Sequence, residues 1–226
     1  LPITHTDWMQ SELGRLRCLH ALGEYENLAS ASTDMSALLE VEVDQSPPEL
    51  DDWINEVHCL GAKSAWVLGD WEKMEEFVRA ESTFHKAPGV NLEEDLSYFA
   101  AILAINKGEN DRATELINKL RANMASSLAV LLGDTYNRAY RGMVAVQVLA
   151  EMEEIVELQR QVETICRSDL FDQDFTSKKP LAFPAVRNHP EVSKRVVQLR
   201  NKWTKRLQWA PREVDVWRQL LTVHSL

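Results

Sequence analysis

One short segment is written four times along this 226-residue chain: GEYENL at 23–28, GDWEKM at 69–74, GENDRA at 108–113 and AEMEEI at 150–155. Each starts with a small residue followed by an acid, and the starts lie 46, 39 and 42 residues apart. Apolar residues at spacings of three and four flank each copy. A period of that size between helical patterns marks stacked helix pairs, because one pair cannot bury its apolar face alone and must lean on the next. The expected fold is all-α: an α-solenoid of stacked antiparallel helix pairs, tetratricopeptide-like or HEAT-like, with about ten helices.

The turn has a physical logic. Gly23, Gly69 and Gly108 each end an apolar run, where a residue that accepts positive φ can close a helix. Glu24, Asp70, Glu109 and Glu151 follow, each a carboxylate placed beside the free N–H groups of the next helix. Leu28, Met74, Ala113 and Ile155 are then expected to face back into the pair. Ala150 replaces glycine in the last copy, so that turn is weaker and a helix can run straight through it.

Periodicity places helices around Met9–Leu19, Leu28–Leu38, Trp53–Leu68, Met74–Val78, Leu92–Leu103 and Ala113–Met124. Leu128, Leu132, Tyr136, Ala139, Met143 and Val146 read as one long stripe, and Met152 to Ile165 as its continuation past the fourth turn. Val192–Leu207 and Val214–Leu221 complete the set. LEVEVD at 39–44 alternates like a strand, but a lone strand is unstable, so a helix end or extended linker before Pro47 and Pro48 is expected. Residues 168–190, with three prolines and no periodicity, read as a long loop and a flexible insertion.

Composition narrows the function classes. With 35 acidic and 25 basic residues the net charge is −10, against nucleic acid or an anionic membrane as main partner. No apolar run is long enough to insert in a bilayer. The chain begins at Leu1 without a signal-peptide pattern and reads as a single helical-repeat segment, 1–226, excised from a larger chain. Cys18, Cys59 and Cys166 are too far apart for a metal pair and read as small buried helix residues of an intracellular protein.

No catalytic, cofactor-binding or metal-ligating set emerges. The eight glycines form no phosphate loop, and the six histidines offer no HExxH, ExxH or helical pair. FDQDF at 171–175 resembles a kinase metal-binding motif only by chance, with no catalytic loop nearby. The acidic pairs Glu75 with Glu76 and Glu153 with Glu154 point about 100° apart on a helix and suit solvated faces better than acid/base work. Trp53, Trp66, Trp71, Trp203 and Trp217 read as inter-helix packing, while Trp8 and Trp209 are candidate exposed anchors. A basic strip of Arg187, Lys194, Arg195, Arg200, Lys202, Lys205 and Arg206 is a solvated helix face or a docking strip for an acidic partner or polyanion.

Four blocks in order along nearly the whole chain carry a resemblance. LGRLRCLHALGEY at 13–25, GAKSAWVLGDWEKMEEF at 61–77, DTYNRAYRGMVAVQVLAEMEEIVELQ at 134–159 and WTKRLQWAPREVDVWRQLLTVHSL at 203–226 closely resemble the FAT domain of target-of-rapamycin (TOR) kinases. These belong to the phosphatidylinositol-3-kinase-related kinases. The chain departs from that pattern at Trp209, Ala210 and Pro211, where the family tends to have Gly-Cys-Gln, and in an expanded segment from about 161 to 200.

The resemblance implies a non-catalytic scaffold that wraps a kinase domain as a clamp and regulates it in growth and nutrient signalling. The parent would be an ATP-dependent serine/threonine protein kinase, with ATP and Mg2+ bound by a kinase domain downstream and no cofactor in this segment. Implied partners are that kinase domain and the other protein subunits of a dimeric TOR complex. The implied location is the cytoplasm, with vacuolar or lysosomal surfaces and the nucleus as further sites. The alternative is a free-standing tetratricopeptide-type adaptor whose concave groove captures peptides. Apolar faces left at the ends of such an array would make the isolated segment self-associate.

Overall fold

The computed structural model describes residues 5–40, 50–79, 91–131, 136–171 and 189–226. Nine α-helices lie among them: α1 His5–Leu22, α2 Tyr25–Glu40, α3 Leu50–Leu68, α4 Trp71–Val78, α5 Leu96–Lys107, α6 Asn110–Leu131, α7 Tyr136–Phe171, α8 Pro190–Trp209 and α9 Val214–Val223. No strand occurs among the described residues. Each helix packs on the next in sequence from α1 to α7, while α1 touches α3, α3 touches α5 and α5 touches α7. That is the neighbour pattern of stacked helix pairs, each contacting only what lies beside it.

Three turns are built alike. Gly23, Gly69 and Gly108 have φ of 76°, 74° and 72°, the left-handed region that glycine enters without strain. In each, the glycine N–H bonds the carbonyl three residues back and the following N–H bonds the one five back: Glu24 to Leu19 at 3.0 Å, Asp70 to Ala65 at 2.9 Å and Glu109 to Ala104 at 2.9 Å. These are Schellman closures. Leu28, Met74 and Ala113 are fully buried, as the sequence pattern requires. The acids do not all act as expected. Asp70 accepts from the Lys73 N–H at 3.0 Å and caps α4, whereas Glu24 reaches the Asn27 side chain and Glu109 reaches Arg112. The shorter carboxylate alone fits back onto its own helix end.

Two apolar cores run in series. The first joins Met9, Leu13 and Leu16 of α1 to Leu28 and Met35 of α2 and Leu50 and Val57 of α3. The second begins at Cys59 and runs through α4 to α9. Helix α3 serves both and is buried from Val57 to Trp66 apart from half-buried Leu60, with Val67 and Leu68 exposed at its end. At Gly61 an added Cβ would lie 2.5 Å from the Phe77 ring, so glycine there permits α3 and α4 to approach. Every residue of α5 from Leu96 to Ile105 is buried, the mark of a helix enclosed on all sides.

The helix limits differ from the sequence pattern in three places. The apolar run Leu92–Leu103 is not one helix: a short 3-10 turn, Leu92–Glu94, stops at Asp95, whose carboxylate accepts from the Ser97 N–H at 2.9 Å and starts α5. The stripe from Leu128 to Val146 also divides, with Leu128 on α6, residues 132–135 outside the described set, and Tyr136 opening α7. Met143 is exposed, and the buried stripe of α7 runs instead through Val144, Val148, Met152 and Ile155. At the fourth copy α7 does run straight through Ala150. It continues to Phe171, four residues into the expected loop; residues 172–188 and 41–44 of LEVEVD lie outside the described set.

Candidate functional site

Losing the fourth turn changes what its acid does. Glu151 stands where Glu24, Asp70 and Glu109 stand in the other copies, but a continuous helix carries it to the interior, where it is fully buried. The Gln147 amide donates to it at 3.0 Å, His224 Nε2 lies 2.9 Å from Oε2, and Arg206 Nη1 lies 3.6 Å from Oε1. One turn further, Glu154 accepts from Lys202 Nζ at 2.6 Å, Trp203 Nε1 at 2.8 Å and Arg206 Nη2 at 2.7 Å. Trp203 stacks on His224, with ring centroids 4.3 Å apart and planes 7° from parallel.

This knot is where α8 and α9 are fastened to α7. Burial pushes the Glu154 carboxyl up, but hydrogen bonds from Arg206, Lys202 and Trp203 outweigh it and hold the pKa below the usual value. The Arg206 guanidinium is pushed up in turn, first by its hydrogen bond to Glu154. A buried carboxylate is costly unless paired and fully hydrogen-bonded, and removing one partner of such a set costs about 3–5 kcal/mol. Trp203 of α8 and Val216, Leu220 and Val223 of α9 join the same apolar core as Val148, Met152 and Ile155 of α7.

Helix α7 also grips the third turn. Gln159 Nε2 donates to the Ile105 carbonyl at 3.1 Å, and Arg160 Nη2 donates to Asp111 Oδ1 and Thr114 Oγ1 at 3.0 Å each. The Asn110 amide donates to Glu163 at 3.2 Å. Gln159 thus adds a second donor to the Ile105 carbonyl, which already accepts from the Gly108 N–H at 3.1 Å. The stretch 147–163 of α7 is therefore the junction of the molecule, holding α5, α6, α8 and α9.

The other singled-out residues separate into packing and surface. Glu75 bonds Lys107 at 2.7 Å while Glu76 is exposed, and Glu153 bonds Arg121 at 2.7 Å while Glu154 turns to α8, so neither pair shares a site. Among the described residues no three His, Cys, Asp or Glu side chains are grouped to hold a metal. Cys59 is buried, but Cys18 is exposed, contrary to the sequence expectation, because it lies off the buried Met9–Leu13–Leu16 stripe. Trp66 and Trp203 are buried, and Trp53, Trp71 and Trp217 pack at the core margins. Trp209 is 88% exposed at the α8–α9 corner.

Three residues of the basic strip prove to be internal fasteners, while among the described residues Lys194 pairs only with Glu191 on its own helix. Lys202 and Arg206 bind Glu154, Arg195 binds Gln161, and Arg200 and Lys205 have no ion-pair partner among the described residues; Arg187 lies outside them. The sequence holds the complementary charges but does not say that they pair. Without a glycine at 150, Glu151 and Glu154 fall at helical spacing beside the Val148–Met152–Ile155 stripe, and Lys202 and Arg206 offer matching charge at i,i+4.

A family model described as "FAT domain" matches residues 59–226. The chain is 29% identical over 225 residues to the serine/threonine-protein kinase mTor of Drosophila melanogaster, covering 99% of this chain and 7% of that protein. It is 28% identical over 227 residues to the serine/threonine-protein kinase TOR of Arabidopsis thaliana, covering 96% and 8%. It is also 27% identical over 228 residues to the target of rapamycin homolog of Caenorhabditis elegans, covering 96% and 7%. The chain thus spans less than a tenth of the length of these relatives.

Proposed function

The chain belongs to the FAT domain family, and from that premise we propose that it is a scaffold segment of a TOR-type serine/threonine protein kinase, clamping and regulating the kinase domain. The observation that carries the proposal is the similarity to TOR kinases along 96–99% of the chain. The helix array supports it physically. Stacked pairs are stiff locally and bend over their length, so a partner bound on the arch changes how firmly a kinase is held, a coupling of about 1–3 kcal/mol.

In this reading the phosphoryl transfer, with its ATP and Mg2+, belongs to a kinase domain elsewhere in the parent chain, and the partners are that domain and the other subunits of its complex. The work is cytoplasmic, at vacuolar or lysosomal surfaces or in the nucleus. Among the described residues, no helix is long and apolar enough to cross a membrane.

The α7 junction supplies the test. Glu151→Ala in the full-length parent removes the buried anion between Arg206 and His224, and hydrogen exchange in residues 190–223 should rise by an amount reflecting about 3–5 kcal/mol. Phosphorylation of a peptide substrate should change severalfold in the same preparation. Faster exchange with unaltered kinase activity would refute the clamp while leaving the knot intact.

A further inference from the structure

We propose that the edge formed by the first two repeat turns docks a basic amphipathic helix of a partner protein. Consecutive helices reverse direction and α1, α3 and α5 pack side by side, so the α1–α2, α3–α4 and α5–α6 turns lie along one edge. All three close with the same hydrogen bonds around a left-handed glycine. They differ in the residue just before that glycine. It is Leu22, 76% exposed, in the first turn and Leu68, 45% exposed, in the second, with Val67 exposed beside it. In the third it is Lys107, whose ammonium bonds Glu75 at 2.7 Å.

The third turn is an internal control. It closes as tightly with lysine as the others do with leucine, so turn formation does not demand an apolar side chain there. The acids show the same contrast. In the third turn Glu109 pairs with Arg112 and Asp111 with Arg160, both within the chain. In the first two turns Glu24 meets only the Asn27 amide, Asp70 only the Lys73 N–H, and Glu26 and Glu72 have no ion-pair partner among the described residues.

Two exposed leucines, each flanked by carboxylates with no ion-pair partner among the described residues, thus recur on neighbouring repeats. The complementary ligand carries apolar side chains framed by Lys or Arg. Packed helices lie roughly 8–10 Å apart, so Leu22 and Leu68 suit anchors at i and i+7, about 10.5 Å along a helix. Phosphate-bearing surfaces are excluded by the sign of the charge.

Carbodiimide cross-linking, which joins carboxylates to lysines at zero length, tests this on the full-length protein in its native assembly, read by mass spectrometry. The expected result is links from Glu24, Glu26, Asp70 or Glu72 to lysines of a helical segment of a different polypeptide with apolar residues seven apart. Leu22→Lys combined with Leu68→Lys, which copies the third turn, should cut those links about tenfold, corresponding to ~1.4 kcal/mol, with unchanged circular dichroism. Should that variant unfold, Glu26→Gln with Glu72→Gln reads the same loss at Glu24 and Asp70. Links to Lys178 or Lys179 of the same chain, links to a second copy, no links at this edge, or links undiminished in the variants would each overturn the proposal. Kinase activity is not part of the readout, so the outcome is independent of the clamp.

Discussion

His58 shows how far one side chain can be taken from its solution chemistry. It is buried between α2 and α3, with Nε2 2.9 Å from Ser36 Oγ and its ring 6.1 Å from Phe77, and burial lowers its pKa to about 4. In the unfolded chain it takes up a proton near the ordinary value of about 6.5. The unfolded state therefore binds more protons between about pH 6.5 and 4, and stability falls as pH drops through that window, by about 3 kcal/mol at most. His58→Gln should flatten the dependence of Tm on pH across that range. A residual slope of the same sign is expected from His20, also lowered by burial and by the nearby Lys63. The depressed carboxyl of Glu154 acts below its ordinary value of 4.5, where protonation loosens the α7–α8 contact. An unchanged profile between pH 4 and 6.5 in the variant would show that His58 is not the titrating group. Nothing in the sequence pattern marked His58, because a histidine on a helix reads the same whether its ring enters a core or faces water.

Glycines test the scale of the element, since the same residue does opposite things in a helix and at its end. Gly14 lies inside α1 with nothing within 4 Å of an added Cβ, whereas Gly69 has φ of 74°. Gly14→Ala should raise stability by about 0.5–1 kcal/mol, and Gly69→Ala should lower it by roughly 1–2 kcal/mol. Denaturant midpoints moving in opposite directions would bear this out, and a shared direction would not. The three glycine turns were legible because local chemistry alone demands positive φ there. Helix α7 was half legible. Ala150 permits continuation, but nothing local reveals that Glu151 would meet Arg206 and His224, which are 55 and 73 residues away. The break at Asp95 is hidden in sequence because an N-cap carboxylate sits inside a continuous apolar run, and the chain obeys both signals.

Over the whole molecule the two serial cores predict divided cooperativity. Leu28 is fully buried in the core of α1, α2 and α3 and has no share in the one that reaches α9. Leu28→Ala should cost about 2–5 kcal/mol locally and speed hydrogen exchange in residues 5–57, while exchange in residues 144–156 stays slow. Uniform acceleration along the chain would mean that α3 couples the cores into one cooperative unit. The sequence by itself determined the all-α class, the helix-pair repeat and the closing glycines, because these follow from propensity and periodicity within one or two turns of chain. Only the tertiary structure decided that the fourth acid becomes a buried knot, that Arg195, Lys202 and Arg206 of α8 serve α7, and that two leucines remain exposed at the turn edge. Those outcomes depend on which distant side chains share a small volume, and a pattern read along the chain carries no record of that.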